Sequence, residues 1–539
     1  MRRPDLRSPA CKRLLRQQVR NAWSEARSPS SLRNDLVWRS NAKPDLVACN
    51  TAIRSLTKSQ EWPAALRLLV EMQELRVQLD VTTYNAAISN CAKGSQWEAA
   101  LALLAHLLQM GPGPNVVSCN STISACARGK QCHRALHLLR DMQLHRIRPD
   151  VITYNTAISA CAQVQDWSSA LQLLSKMPQL GIQPDIFTFN ATINSCETDY
   201  WTAALELFAR LQLHGPRPDL VTFNSTISAC SRGHHWAGSV QLLEGVGQLR
   251  LKPNVTSYSS TITACAKGRQ WQAALAILAE MHQLGHQPNV ISYNAAISAC
   301  EKGKQCSLAL QLLEEMKLCG IQRDVISYNT TISACAQVQA WSRALWLLAE
   351  MESGERGMLR PDAISYNSAI SACEKAGWPV ALQLFSRMQL AGPAPDLITW
   401  NSIINACSGG GQWMLSLQLL EEMLVGHCKP KPSTVTYSTA ISACQKASQW
   451  SAALNLLREM TRSEIAKDAV SYSASISASG AGAQWQLALH LLGEMSRNRF
   501  LKDAITFNAS ISACEKAAQW PMMVRLLEEM TASAVDKAT

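Results

Sequence analysis

The eleven residues Val151-Ile-Thr-Tyr-Asn155-Thr-Ala-Ile-Ser-Ala-Cys161 return almost unchanged at 290–300 and again at 325–335. Self-similarity of this kind constrains a chain more than its length does, because a repeat array grows without adding domains. With position 1 placed after each Pro-Asp-like pair, units start at 46, 81, 116, 151, 186, 220, 255, 290, 325, 363, 397, 434, 469 and 504, so fourteen units cover 46–539. Most have 35 residues; those at 186 and 363 are one shorter, that at 325 is three longer, that at 397 is two longer, and the last runs off the C-terminus.

Each unit reads as two helices. Tyr154, Ala157, Ile158 and Cys161 follow the i, i+3, i+4, i+7 spacing of one apolar helix face. Trp167, Ala170, Leu171, Leu174 and Met177 do the same in the second half. Glycine near position 14, as in Lys93-Gly94 and Lys267-Gly268, is expected to break between them. The closing Asp is a helix-start signal for the next unit. One such hairpin cannot bury its own apolar faces, but a stack of them can. The expected fold is all-α: a right-handed superhelical solenoid of about fourteen helix-turn-helix repeats. Twelve of the sixteen tryptophans open the second helix, and Cys132 and Cys306 replace Trp there, which suits a packing slot between hairpins.

The nineteen cysteines contain no C-x-x-C, and twelve recur at one position, among them Cys91, Cys126, Cys161 and Cys196. They read as small buried apolar residues in a reducing compartment, with no metal site and no cofactor. The net charge of +11 is uneven: residues 1–45 carry eleven Lys/Arg against four Asp/Glu, leaving only +4 for the other 494 residues. Net charge alone therefore does not argue for a nucleic-acid partner. No apolar run is long enough to cross a membrane.

The 35-residue period, the opening Val-Ile-Thr-Tyr-Asn155, the middle Ala-Leu-Gln-Leu-Leu at 170–174 and the closing Gly181-Ile-Gln-Pro-Asp185 resemble the pentatricopeptide repeat family, in its subclass of uniform repeats. Tryptophan at position 17 departs from the usual, smaller residue. The early Trp, Leu-Gly and Tyr pattern of tetratricopeptide repeats is absent. Asparagine at the fifth position is a poor helix residue unless it has a task.

The resemblance implies sequence-specific binding of single-stranded RNA, one base per repeat, with positions 5 and 35 reading the base edge and position 2 lying against its face. Position 2 is mostly Val or Ile (Val117, Ile152, Val221, Ile291), with Phe187, Thr82 and Thr256 as variants. By the family's code, Asn50/Asp80, Asn120/Asp150, Asn155/Asp185, Asn190/Asp219, Asn294/Asp324, Asn329/Asp362 and Asn367/Asp396 imply U. Asn85/Asn115 and Asn224/Asn254 imply a pyrimidine, Ser259/Asn289 implies A, Asn401/Ser433 implies C, and Ser438/Asp468 and Ser473/Asp503 imply G. The implied target is 5′-UYUUUYAUUUCGG, and Asn508 has no partner. The closing residues can equally serve as helix caps.

Position 13 is basic in nine units: Lys58, Lys93, Arg128, Arg232, Lys267, Lys302, Lys375, Lys446 and Lys516. By resemblance these touch the RNA backbone; the alternative is a cation favoured by the dipole at a helix C-terminus. No deaminase signature or P-loop is present, and the repeats run almost to Thr539, so a non-enzyme without a nuclease domain or small-molecule substrate is expected. Residues 1–45 have the composition of an organelle transit peptide, or of a basic tail or degenerate repeat. The family is mainly mitochondrial or plastid, which implies a mitochondrion or chloroplast and a role in transcript stability, processing, editing, splicing or translation, with processing or editing proteins as possible partners. The rival reading is a protein-binding scaffold or a subunit of an organellar ribonucleoprotein.

Overall fold

A Ser/Thr/Asp/Asn side chain before an apolar periodic segment accepts a bond from an otherwise orphaned N–H and so starts a helix. In the computed structural model each repeat does this at the same place. The described residues are 46–535, apart from 60, 75–76, 78, 111, 197–199, 354–358, 374–376, 426–429, 499 and 501. Among them are 28 helices and no strand. The first helices of the repeats begin at 46, 81, 116, 151, 186, 220, 255, 290, 325, 363, 397, 434, 469 and 504, as in Val151–Gln163 and Val290–Lys302. The second helices begin at Trp, as in Trp167–Gln179, or at its replacements in Cys132–Leu144 and Cys306–Leu318. The fold is an all-α helical repeat solenoid.

The chain divides into two compact units, Met1–Gly268 and Arg269–Thr539. Within each, a first helix packs on the first helix of the next repeat, while a second helix packs on its own first helix and on the following one. Within each unit the first helices thus form a row. Their apolar face is fully buried: Tyr154, Ala157, Ile158 and Cys161 are all at most 1% exposed. Burial of one Ile or Leu contributes about 1.5–3 kcal/mol, so each repeat adds several such terms to its neighbours' stability. On the second helix Leu173 and Leu174 are buried, whereas Leu171, expected in the core, only packs at the edge of it. All twelve position-11 cysteines are buried free thiols, among them Cys91, Cys126, Cys161 and Cys196. Among the described residues no three His, Cys, Asp or Glu side chains could hold a metal, and no helix is long and apolar enough to cross a membrane.

The position-14 glycines cap the ends of the first helices, where the break was expected, but not through a left-handed backbone. Gly94, Gly129 and Gly268 have φ between −76 and −80°, which any residue adopts. The left-handed residue is the next one, for example Ser95 (φ 56°) or Lys130 (φ 55°). The glycine is there for space. A Cβ at Gly129 would stand 2.3 Å from Cδ1 of Trp97, and one at Gly268 would stand 2.6 Å from Cδ1 of Trp236. The indole that opens one repeat's second helix therefore lies against the end of the next repeat's first helix, which is the packing role foreseen for it. The repeats that follow Cys132 and Cys306 carry Val164 and Val338 instead of glycine. There the thiols approach the neighbouring core directly: Sγ of Cys132 is 3.0 Å from Sγ of Cys161, and Cys306 is 3.0 Å from Cys335.

Candidate nucleic-acid interface

Each first helix opens with an exposed apolar residue at its second position. Ile152, Ile291, Ile326 and Ile398 are each 62% exposed, and Val117, Val221 and Phe187 are 54–56% exposed. Isoleucines left that open contribute nothing to the core, so a row of them calls for a ligand. Thr82 and Thr256 are also exposed.

Beside this row the fifth-position amides meet the closing side chains, thirty residues on in sequence. Nδ2 of Asn155 donates to both carboxylate oxygens of Asp185 at 3.1 Å. Asn120 reaches Asp150 at 3.2 Å, Asn294 reaches Asp324 at 3.1 Å, Asn329 reaches Asp362 at 3.0 Å, and Asn367 reaches Asp396 at 3.1 Å. Asn190 and Asp219 are 3.5 Å apart, as are Asn224 and Asn254, while Asn85 and Asn115 are 3.3 Å apart. Nδ2 of Asn50 donates to Thr82, which itself donates to Asp80. The serines behave differently: Ser259, Ser438 and Ser473 bond carbonyls of their own helix. Asn508, in the last repeat, is exposed.

The closing residues are also helix caps, the alternative role that the sequence left open for them. Asp150, Asp185, Asn254, Asn289, Asp324, Ser433, Asp468 and Asp503 each accept from the backbone N–H three residues on. Partial burial pushes the carboxyls of Asp150, Asp185 and Asp324 up. Bonds from the next Thr or Ser hydroxyl, from the capped N–H and from the paired Asn outweigh it and hold them below the ordinary carboxylate range. Asp80, Asp219, Asp362 and Asp396 are lowered on the same balance.

Sequence reasoning missed a third member of this constellation. Position 3 is Ser or Thr in the thirteen repeats from Thr83 to Thr506. Its residue is buried, and in several repeats its hydroxyl lies between the fifth-position side chain and the closing one. Oγ1 of Thr153 donates toward Asn120 at 2.6 Å and Asp150 at 2.7 Å; Thr188 does so toward Asn155 at 2.6 Å and Asp185 at 2.8 Å. Thr436 reaches Asn401 at 2.7 Å, while no bond joins Asn401 to Ser433. The available signal was the uniform hydroxyl at one helical position.

The basic position-13 residues divide. Lys93, Lys302 and Lys446 are exposed at the ends of first helices. Arg128 and Lys516 are exposed too, but reach back to terminal carbonyls of the preceding first helix, at Ala92 (3.5 Å) and Gly480 (3.2 Å). Lys267 is half-buried, as is Arg232, whose Nε and Nη2 find no protein partner. The side chain of Lys58 and all of Lys375, like residues 1–45, lie outside the described residues.

Models of the pentatricopeptide repeat domain match residues 102–155, 137–198, 241–302 and 355–411. Those of the PPR repeat family match 44–111 and 288–337, and the PPR repeat matches 326–354, 398–428 and 435–465. The chain belongs to the pentatricopeptide repeat family. No curated protein matches it. Among solved structures, it is similar to the pentatricopeptide repeat protein PPR10 in complex with an 18-nt psaJ RNA element, at 18% identity over 96% of this chain and 87% of that one, with a TM-score of 0.51. PPR10 from maize matches at 18% identity, 97% and 89% coverage and a TM-score of 0.46. Yeast Rmd9p in complex with a 16-nt target RNA matches at 12%, 84% and 96%, with a TM-score of 0.35.

Proposed function

We propose that this protein binds single-stranded RNA at one base per repeat, through the paired side chains at positions 5 and 35 beneath the row of exposed second-position residues. The observation that carries the reading is the pairing itself: a helix-interior amide and a capping carboxylate are held together beside an exposed apolar residue in repeat after repeat. A carboxylate only accepts hydrogen bonds, so the amide nitrogen of Asn155 must face Asp185. What remains is one amide N–H and the outward lone pair of Oδ2, whose other lone pair accepts from the amide. Uracil offers a carbonyl and N3–H at adjacent positions, which take that donor and that acceptor, whereas cytosine sets its 4-amino donor against the amide N–H. In Ser438 and Ser473 the hydroxyl turns back to its own helix, leaving the room a purine needs beside Asp468 and Asp503. The matching RNA is 5′-UYUUUYAUUUCGG. Binding would act by occupancy, in organellar RNA metabolism if the acid-poor residues 1–45 direct import.

Fluorescence anisotropy of the full chain with the matched 13-mer and a scrambled RNA tests this. The matched RNA is expected to bind more tightly. Ser438→Asn is expected to move the preference at the twelfth base from G to U. Equal binding of both RNAs would sink the base assignment, and no binding at any salt would favour a protein-binding scaffold.

A further inference from the structure

In regular repeats the fifth-position amide is held at both ends. For Asn155, Nδ2 donates to Asp185 and Oδ1 accepts from the Thr188 hydroxyl at 2.6 Å. Asn294 is held the same way, by Asp324 and by Ser327 at 2.6 Å. The two 34-residue repeats break the pattern. Oδ1 of Asn190 and of Asn367 is buried with no hydrogen-bond partner. The hydroxyls that should serve them, Thr222 and Thr399, reach only Asp219 and Asp396, both at 2.8 Å. The missing residue shifts the register between repeats enough to keep the Asn–Asp bond and lose the hydroxyl bond.

We infer that the third-position hydroxyl is a positioning residue for base readout, and that the repeats starting at 186 and 363, which lack this contact, accept either pyrimidine. The inference rests on the base-per-repeat reading above. With Oδ1 engaged by the hydroxyl, the amide can offer a base only its free N–H, which suits uracil's carbonyl. Without the hydroxyl, nothing but the bond to Asp219 or Asp396 fixes the rotation of the Asn190 or Asn367 amide, so its free N–H is not held at uracil's carbonyl and discriminates less against the cytosine 4-amino group. The same side chains, Asn and Asp, then read differently according to a contact that touches no base.

The test measures affinity of the full chain for the matched 13-mer and for versions with a single U→C change. At the fourth base (Asn155) or the eighth (Asn294), C is expected to weaken binding about tenfold, the low end of a good base contact. At the fifth (Asn190) or the tenth (Asn367), the loss is expected to stay under about threefold, a fraction of the same contact. Thr188→Val should lower the penalty at the fourth base to that of the fifth, and Thr188→Ser, which keeps the hydroxyl, should restore it. Thr222→Val removes a capping bond of the same kind without removing an amide contact, so the U/C ratio at the fifth base should not move. Equal penalties at all four bases would overturn the inference while leaving base-per-repeat binding intact, as would a Thr188→Val variant that loses U and C binding alike. If matched and scrambled RNAs bind equally, the reading beneath it falls and the inference falls with it.

Discussion

A side-chain oxygen can accept more than one hydrogen bond, and in this protein the oxygen that caps a helix also accepts from the preceding repeat's amide, as Oδ1 of Asp150 does from Thr153 N–H and Asn120. Asp150 and Asp185 are both cap and partner, which is why their carboxyls stay below the ordinary range despite partial burial. The sign follows from linkage: a carboxyl depressed in the folded state stabilises it above the unfolded value of about 3.9, and that contribution is lost as pH falls through the folded value. Melting followed by circular dichroism should therefore be flat from neutral pH to about 5 and fall steeply below about 4. Asp150→Asn keeps the cap, as Asn115 and Asn254 do in their repeats, and should soften the acid limb. A melting temperature that rises on acidification would contradict the balance described. The pairing of positions 5 and 35 was implied by the family resemblance and is found in the structure. The part played by the hydroxyl of Thr153 or Thr188 was not legible, because its contact to Asn120 or Asn155 crosses 33 residues and depends on how one hairpin sits on the next.

Helix starts and the first-helix core were readable for a related reason: capping and 3.6-residue periodicity are local. The second helix was read less well, with Leu173 buried where Leu171 was expected, since which leucine turns inward depends on the following repeat. The glycine at position 14 falls at the expected break between the helices, but its reason was not legible locally. Its purpose is room for an indole 32 residues earlier, and the sequence carried a signal for this in Cys132 with Val164 and Cys306 with Val338. The pairing of large with small and small with large predicts a coupled exchange. Gly268→Val alone should cost about 1–3 kcal/mol by overpacking against Trp236. Trp236→Cys alone should cost a similar amount by leaving the slot underfilled. The double variant, which copies the Cys132/Val164 interface, should lose at least about 1 kcal/mol less than the sum, by denaturant unfolding followed by circular dichroism. Additive losses would show that the two residues do not share the slot.

For the molecule as a whole, the decisive quantity is how affinity divides between charge and shape. The repeats carry a net +4, so long-range attraction to RNA is weak. Lys93, Arg128, Lys302, Lys446 and Lys516 are the exposed position-13 cations among the described residues, five in all. If each neutralises one phosphate, log affinity should fall against log salt with a slope of about −3.5 for a single strand. Lys302→Gln should flatten that slope by about 0.7 and weaken matched and scrambled RNA equally, because a phosphate carries no sequence. Ile291→Ser changes a 62%-exposed residue, so it should leave melting unchanged and the slope intact. It should still weaken the matched RNA, by removing the surface against which the eighth base lies. A steeper slope would mean that cations elsewhere on the repeats hold the strand, and an Ile291→Ser variant with unaltered affinity would mean that the exposed apolar row serves a ligand other than RNA bases.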